Sequence, residues 1–499
     1  MKRLLILACA LLASSLVHAQ ADRKERIQAL FPELDKLYAD AAASNHIPGV
    51  AYAVLVDGKL VHMRTLGLAD VEHNTPVAGD TEFRIASMTK SFVAMAALKL
   101  RDQGKLRLDD PVSKYLPEAA RLKLSTSDSR PLTIRNLMTM STGLPEDNPW
   151  GDRQMQLDNA AIAKLVGGGL SFSNAPDVAF EYSNLGFVML GKLVGKVVGM
   201  RFQDYITREI LLPLGMTHTR WEYSQTPPGK LALGYQWVHE RWEIEPILHD
   251  GDAAAMGGLI TTIDDFARYT AFHLDAWPAR SAPETGPLRR ASVREMQQPR
   301  IFSGFAAEAM SSDGKTANPV VGFYAYGLNW ARDARGTVTV QHTGGLPGYG
   351  SSFRFAPDYG IGVIAFSNLR YGPIYSATNK ALDMLVQRGA QAPTPVAVSP
   401  ILARRQAQVV ELIQQWDASL GDAILAENFF LDRKRADWIA ESNSKLGEIG
   451  KIVTVGPIKA QNALRGSFPL VGEQGTLNVT FTMSPEKDPK VQFLRLAKP

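Results

Sequence analysis

The stretch Phe83 to Gly104 reads F-R-I-A-S-M-T-K-S-F-V-A-M-A-A-L-K-L-R-D-Q-G, and the rest of the chain is best understood outward from it. Apolar residues at Met88, Phe92, Met95, Ala96 and Leu98 recur with helical spacing, and Gly104 closes the run. Ser87 is therefore expected in the first turn of a buried helix, with Lys90 one turn later. Residues three apart share a helix face, so the Lys90 amine can reach the Ser87 hydroxyl. The unsatisfied N–H groups of the first turn then face any anion that forms there. The S-x-x-K spacing occurs four times, at Ser87, Ser312, Ser442 and Ser484, and only the first opens a long apolar-faced helix. An N-cap serine beside a solvated lysine would meet the same spacing, so the remaining chain has to decide.

At 499 residues the chain exceeds one average domain. Lys2 and Arg3 followed by an apolar run from Leu4 to Val17 and by Val-His-Ala read as a secretory leader over residues 1–19, cleaved after Ala19. That pattern predicts export across the inner membrane to the periplasm, with no stable membrane anchor, because no later segment offers about twenty unbroken apolar residues. Cys9, the single cysteine, falls inside the leader, so the mature chain is compatible with an oxidising compartment without using disulfides. Without Lys2 and Arg3 the formal net charge of +4 falls by about half. The scattered basic residues left behind, including Arg433-Lys434-Arg435, give no footprint for nucleic acid. The histidines form no metal-ligand spacing, and no cofactor is expected.

Two β-rich runs flank Asp57-Gly58, a hairpin signal, and a second hairpin is expected from Ser351 to Phe366 around Pro357–Gly360, preceded by a strand at Val338–His342. More than two hundred residues with helical and loop character lie between these β-regions. The expected fold is mixed α/β: an antiparallel sheet built from both ends of the domain, flanked by helices, with a large helical insertion. A cleft where the insertion meets the sheet is the natural place for a site. Residues 20–388 form this domain. Residues 389–400, G-A-Q-A-P-T-P-V-A-V-S-P, read as a linker. Residues 401–499 read as a small α+β domain, with helices over 401–420 and 423–445 and four strands after them.

Three further stretches bear on Ser87. F-E-Y-S-N-L-G places Tyr182 and Asn184 around Ser183 ahead of an apolar helical run. V-Q-H-T-G-G-L ends a β-run in His342-Thr343-Gly344-Gly345, where glycines allow a substrate to approach the backbone closely. L-T-I-R-N-L-M-T-M-S-T-G-L-P, from Leu132 to Pro145, reads as a helix and a glycine turn.

Taken together and in this order, Ser87-x-x-Lys90, Tyr182-Ser183-Asn184 and His342-Thr343-Gly344 resemble the three motifs of the serine β-lactamase and penicillin-binding protein superfamily, nearest its class C-like branch. The resemblance covers roughly residues 22–386. It implies that Ser87 is the nucleophile and that Lys90 or Tyr182 takes its proton. It also implies that Asn184 binds Lys90 and the substrate, and that the N–H groups of Ser87 and Gly345 form an oxyanion hole. His342, Thr343, Gly344 and Gly345 would line the substrate strand. Two departures matter. His342 stands where β-lactamases and transpeptidases carry a lysine, which weakens the case for binding a substrate carboxylate and resembles the esterases and D-amino-acid peptidases of the branch. Met140 stands where relatives place a histidine, a position read as structural. Tyr349 and Trp150 are candidates for the cleft mouth.

The expected activity is that of a secreted serine hydrolase cleaving small esters or D-alanyl amides through a Ser87 acyl-enzyme. A β-lactamase is the first alternative, and a non-catalytic module that binds peptides or proteins is the second. The sequence assigns no oligomeric state. The C-terminal domain carries no catalytic set, although Trp438 and Phe429-Phe430 could line a pocket of their own.

Overall fold

Residues 21–498 are described by a computed structural model of the chain, so the leader expected at residues 1–19 lies outside the described residues. Two compact units divide the chain, Met1–Pro393 and Thr394–Pro499. Among the described residues no helix is long and apolar enough to cross a membrane.

In the first unit, strand β1 (Gly49–Val56) is apolar throughout because both of its faces are covered. Ala51, Ala53 and Leu55 belong to one core, Val50, Tyr52 and Val54 to another. Asp57 and Gly58, with φ of 51° and 73°, turn the chain into β2 (Lys59–Asp70), which is followed by β3 (Thr75–Pro76). The remaining strands come from far along the chain: β4 (Ile301–Ala306), β5 (Val320–Tyr324), β6 (Asn329–Asp333), β7 (Val338–Leu346), β8 (Tyr349–Ala356) and β9 (Ile361–Ser367). Together they form a nine-stranded sheet in the order β3-β2-β1-β9-β8-β7-β6-β5-β4, antiparallel at every pairing. The sheet is thus built from both ends of the domain. The helical insertion is shorter than its composition implies, because residues 301–333 supply β4 to β6 of the sheet.

Six helices position the chemistry: α1 (Phe31–Ser44), α2 (Thr89–Asp102), α3 (Ile134–Thr139), α4 (Asn184–Val198), α5 (Ile263–Asp275) and α6 (Ile374–Met384). Leu34 and Tyr38 of α1 and Ile374 and Leu382 of α6 pack with Tyr52 and Val363 on one side of the sheet. Residues of α2, α3, α4 and α5 fill the core on the other side. Helix α2 is buried at every residue from Thr89 to Leu98, and a helix without a solvent face reads as apolar all round. Gly389 and Ala390, assigned by composition to the linker, are buried and complete the helical continuation Leu385–Ala390 after α6.

The second unit contains α7 (Pro400–Gln415), α8 (Ala418–Ile424) and α9 (Arg435–Ile449). Its five-stranded sheet is made of β10 (Ile452–Val455), β11 (Lys459–Asn462), β12 (Arg465–Gly472), β13 (Thr476–Met483) and β14 (Val491–Ala497). The single helix expected over 423–445 is broken at Leu425, which bridges to Val491, while Ala426 N–H donates to the Val491 carbonyl. A tertiary pairing has overridden local helix propensity. Phe429, Phe430 and Trp438 pack into this unit's hydrophobic core.

Candidate active site

Ser87 lies in a short 3-10 turn, Ala86–Met88, that runs directly into α2. Ala86 holds φ at +48°, left-handed backbone that a residue with a Cβ adopts only when its surroundings impose it. The surroundings here are close. A Cβ on Gly344 would fall 2.2 Å from the Ile85 carbonyl and 2.9 Å from the Ala86 Cβ, so β7 runs tight against the turn only because residue 344 has no side chain. Being early in the turn, the Ser87 N–H has no intrahelical acceptor.

Lys90 is fully buried, and its Nζ has three neighbours: Ser87 Oγ at 3.0 Å, Asn184 Oδ1 at 2.7 Å and the Met256 carbonyl at 2.6 Å. Burial disfavours its charged form and brings the amine down to about 7, against the opposing pull of Asp152 and Asp147. A neutral amine has two hydrogens. With those donated to Asn184 and Met256, both acceptors only, the lone pair points at the Ser87 hydroxyl.

Burial pushes the Tyr182 phenol well above the ordinary tyrosine value, the nearby Ser87 hydroxyl opposes that shift, and Asp152 and Asp147 add to it. The Lys90 ammonium position lies 4.9 Å from the Tyr182 ring centre. The segment is pinned at the start of α4. Ser183 Oγ accepts from the Gly186 N–H, and the Asp147 carboxylate accepts from the Asn184 N–H at 2.6 Å, the Leu185 N–H at 2.9 Å and Ser183 Oγ at 3.1 Å. A carboxylate at a helix N-terminus satisfies free donors and is stabilised by the positive end of the helix dipole. Asn184 Nδ2 donates to Asn148 Oδ1, so the side chain that orients Lys90 is itself fixed. Met140, in left-handed conformation at the end of α3, receives the Glu181 N–H on its carbonyl and the Ser183 N–H on its sulfur. Its role is to hold the Tyr182 segment.

The edge of β7 completes the site. Leu346 and Tyr349 flank a two-residue turn and form a hydrogen-bonded pair, so pairing alternates along the strand. His342 and Gly344 fall on the paired phase, whereas the N–H groups of Thr343 and Gly345 point away from β8. On that side β6 covers β7 only from Val338 to Gln341, which leaves those N–H groups facing the cleft. His342 lies in the cleft lining with both ring nitrogens engaged by the protein. It is buried, with Nδ1 2.6 Å from the Thr343 carbonyl and Nε2 3.1 Å from Tyr324 Oη. Burial and the nearby Lys90 hold the imidazole down at about 3. Nδ1–H therefore donates to Thr343 and Nε2 accepts from Tyr324, and His342 forms neutral wall rather than a carboxylate anchor.

These groups surround a cleft of about 460 Å³ lined by Ser87, Tyr182, His342, Thr343 and Gly345, and also by Asn148, Asp152, Phe180, Asn329 and Tyr371. Tyr349, proposed for the mouth, is instead buried and donates to the Ala232 carbonyl, and Trp150 is exposed outside the lining. Asp147, Asn148, Asp152, Tyr324 and Tyr371 escaped the sequence reading. The only local signal was Asp147-Asn148 immediately after the glycine turn.

A family model described as beta-lactamase matches residues 34–387. Protein flp of Staphylococcus aureus (strain N315) is 27% identical over 349 residues, covering 68% of this chain and 64% of its own length. Beta-lactamase-like protein 2 of Dictyostelium discoideum is 29% identical over 262 residues, covering 50% of this chain and 47% of its own. The chain thus spans less than two thirds of the length of these curated relatives. Among solved structures, an octameric penicillin-binding protein homologue from Pyrococcus abyssi superposes with a TM-score of 0.61 at 22% identity, over 93% of this chain and 95% of that one. A penicillin-binding protein from Bacillus halodurans gives 0.55 at 21%, over 68% and 97%. At such identities the structural likeness concerns the fold.

Proposed function

The chain belongs to the beta-lactamase family, and from that premise we propose that it is a serine hydrolase that cleaves small esters or amides such as D-alanyl peptides through an acyl-enzyme on Ser87. The observation that carries this reading is the environment of Lys90: a buried amine, brought near neutrality, with its two other directions filled and Ser87 Oγ 3.0 Å away. Lys90 takes the Ser87 proton as Oγ bonds to the substrate carbonyl carbon. The oxyanion is received by the N–H groups of Ser87 and Gly345. The proton passes to the departing amine or alcohol, and water then attacks the ester, with Lys90 again accepting a proton. Tyr182, held protonated, donates a hydrogen bond beside the leaving group rather than acting as the base. Each oxyanion donor is worth about 3 to 4 kcal/mol in systems of this type.

The cleft argues for neutral or cationic substrates over β-lactams. His342 is uncharged, and among the described residues no arginine lines the cleft to receive a carboxylate. Export to the periplasm belongs to the same proposal and rests on the pattern of residues 1–19. Side-by-side turnover of p-nitrophenyl acetate and a chromogenic cephalosporin tests the reading. Ester hydrolysis that is lost in Ser87→Ala, with cephalosporin hydrolysis at least a hundredfold slower, is the expected result. Efficient cephalosporin turnover would overturn the substrate assignment, and ester turnover that survives Ser87→Ala would overturn the nucleophile.

A further inference from the structure

Asp152 is an acidic side chain in a cleft where the reaction as described does not require one. It is only 6% exposed, yet it lines the same cleft as Ser87. Its single side-chain hydrogen bond among the described residues comes from the Tyr371 hydroxyl, 2.8 Å from Oδ2, and no lysine or arginine lies within ion-pair distance of it. None of the neighbouring cations pairs with it. Lys90 is held by Ser87, Asn184 and Met256, Arg370 is paired with the buried Glu245, and Arg153 is exposed outside the cleft lining. A buried carboxylate without a cation is costly, and a ligand cation would relieve that cost.

Tyr371 supplies the second observation. It holds φ at +48°, rare for an aromatic residue, and its N–H donates to the Leu346 carbonyl at 3.2 Å. In that conformation its ring lies over Gly345, where a Cβ would come within 2.8 Å of Cδ1. The strained residue therefore carries its hydroxyl from the β7 edge across to Asp152, which follows the short helix Asn148–Gly151 of the helical region. Tyr371 and Asp152 bar the cleft together, beside the Gly345 N–H that faces the reacting carbonyl.

We infer that Asp152, oriented by Tyr371, is a specificity-determining subsite for a protonated amine on the substrate, so that the cleft takes ester or amide substrates bearing an ammonium group and disfavours anionic ones. This rests on the hydrolase reading for the location of the reacting carbonyl, but binding can be measured without turnover. A rival role is purely electrostatic, with Asp152 as a distant counter-charge to Lys90. That role would affect charged and neutral substrates equally, whereas a subsite affects their ratio.

The experiment uses the full chain carrying Ser87→Ala and compares D-alaninamide with isobutyramide, in which a methyl replaces the ammonium, by titration calorimetry or NMR. The amine is expected to bind at least tenfold more tightly. Adding Asp152→Asn should bring the ratio close to one, and Asp152→Glu should restore part of it. If Asp152→Asn does not fold, Tyr371→Phe, which removes the hydroxyl that orients the carboxylate, should reduce the ratio severalfold. Equal binding of the two amides, absence of binding by D-alaninamide, or a ratio that survives Asp152→Asn would overturn the inference. Wild-type p-nitrophenyl acetate turnover, measured separately, reports on the hydrolase reading alone.

Discussion

Lys90 Nζ sits 3.0 Å from Ser87 Oγ, and this pair is assembled by side chains and carbonyls that arrive from distant parts of the chain. Asn184 comes from the start of α4, and Met256 from the loop that leads into α5. Each removes one direction in which the lone pair could point.

Lys90→Met keeps the length of the side chain and removes the base. Ester turnover should fall about a hundred- to ten-thousandfold, the usual contribution of a positioned general base. Asn184 Oδ1 and the Met256 carbonyl would lose a donor, each at about 1 to 3 kcal/mol, so thermal unfolding should also move down. Steady-state kinetics together with a melting curve checks both effects.

The pH dependence follows from the same amine. Only neutral Lys90 accepts the proton, so kcat/KM for a neutral ester should rise with pH, reach a plateau above about 7 and fall to about a hundredth of that plateau at pH 5. His342→Gln should leave the midpoint of this limb in place, because His342 is already neutral throughout that range. If the limb moved with His342, the assignment of the base would be wrong. For stability the sign is also fixed. Between about pH 7 and the ordinary lysine value the unfolded chain carries a proton that the folded chain has released, so the Lys90 contribution to stability should grow as pH rises through that window.

Gly344→Ala tests the seat of the nucleophile turn. The new methyl would lie 2.2 Å from the Ile85 carbonyl and 2.4 Å from Ser351 Oγ, so β7 must move off the turn. A loss of about 1 to 3 kcal/mol is expected, together with loss of turnover, measured by denaturant unfolding and ester assay.

Asp147→Ala removes the carboxylate that caps α4. About 1 to 2 kcal/mol of stability should go with it, and turnover should fall further than the stability loss explains, because Tyr182 and Asn184 flank the capped turn. Asp147→Asn, which keeps a cap acceptor, should recover most of the stability.

What the sequence made legible was local. Asp57-Gly58 marked the first hairpin because its two left-handed residues are a property of the dipeptide, and Ser87 with Lys90 followed from helical spacing alone. Strands β4 and β5 were not legible. Ile301–Ala306 leaves Phe302 and Phe305 exposed and shifts register at Gly304, so it lacks the alternation that marks a half-buried strand. Asp152 and Tyr371 were out of reach for another reason. They lie 219 residues apart in the chain, and only the folding of the helical region onto β7 brings them together. His342 shows the limit from the other side: its identity was visible, but not the Tyr324 hydroxyl and Thr343 carbonyl that occupy both of its nitrogens.

The most direct measurement is intact-mass spectrometry of the purified chain, acid-quenched within seconds of mixing with p-nitrophenyl acetate and followed by peptide mapping. One acyl group should be gained and should map to Ser87 within residues 83–104. It should be absent from Ser87→Ala and should decay as turnover proceeds. An adduct on another residue, or ester hydrolysis without any Ser87 adduct, would contradict the account.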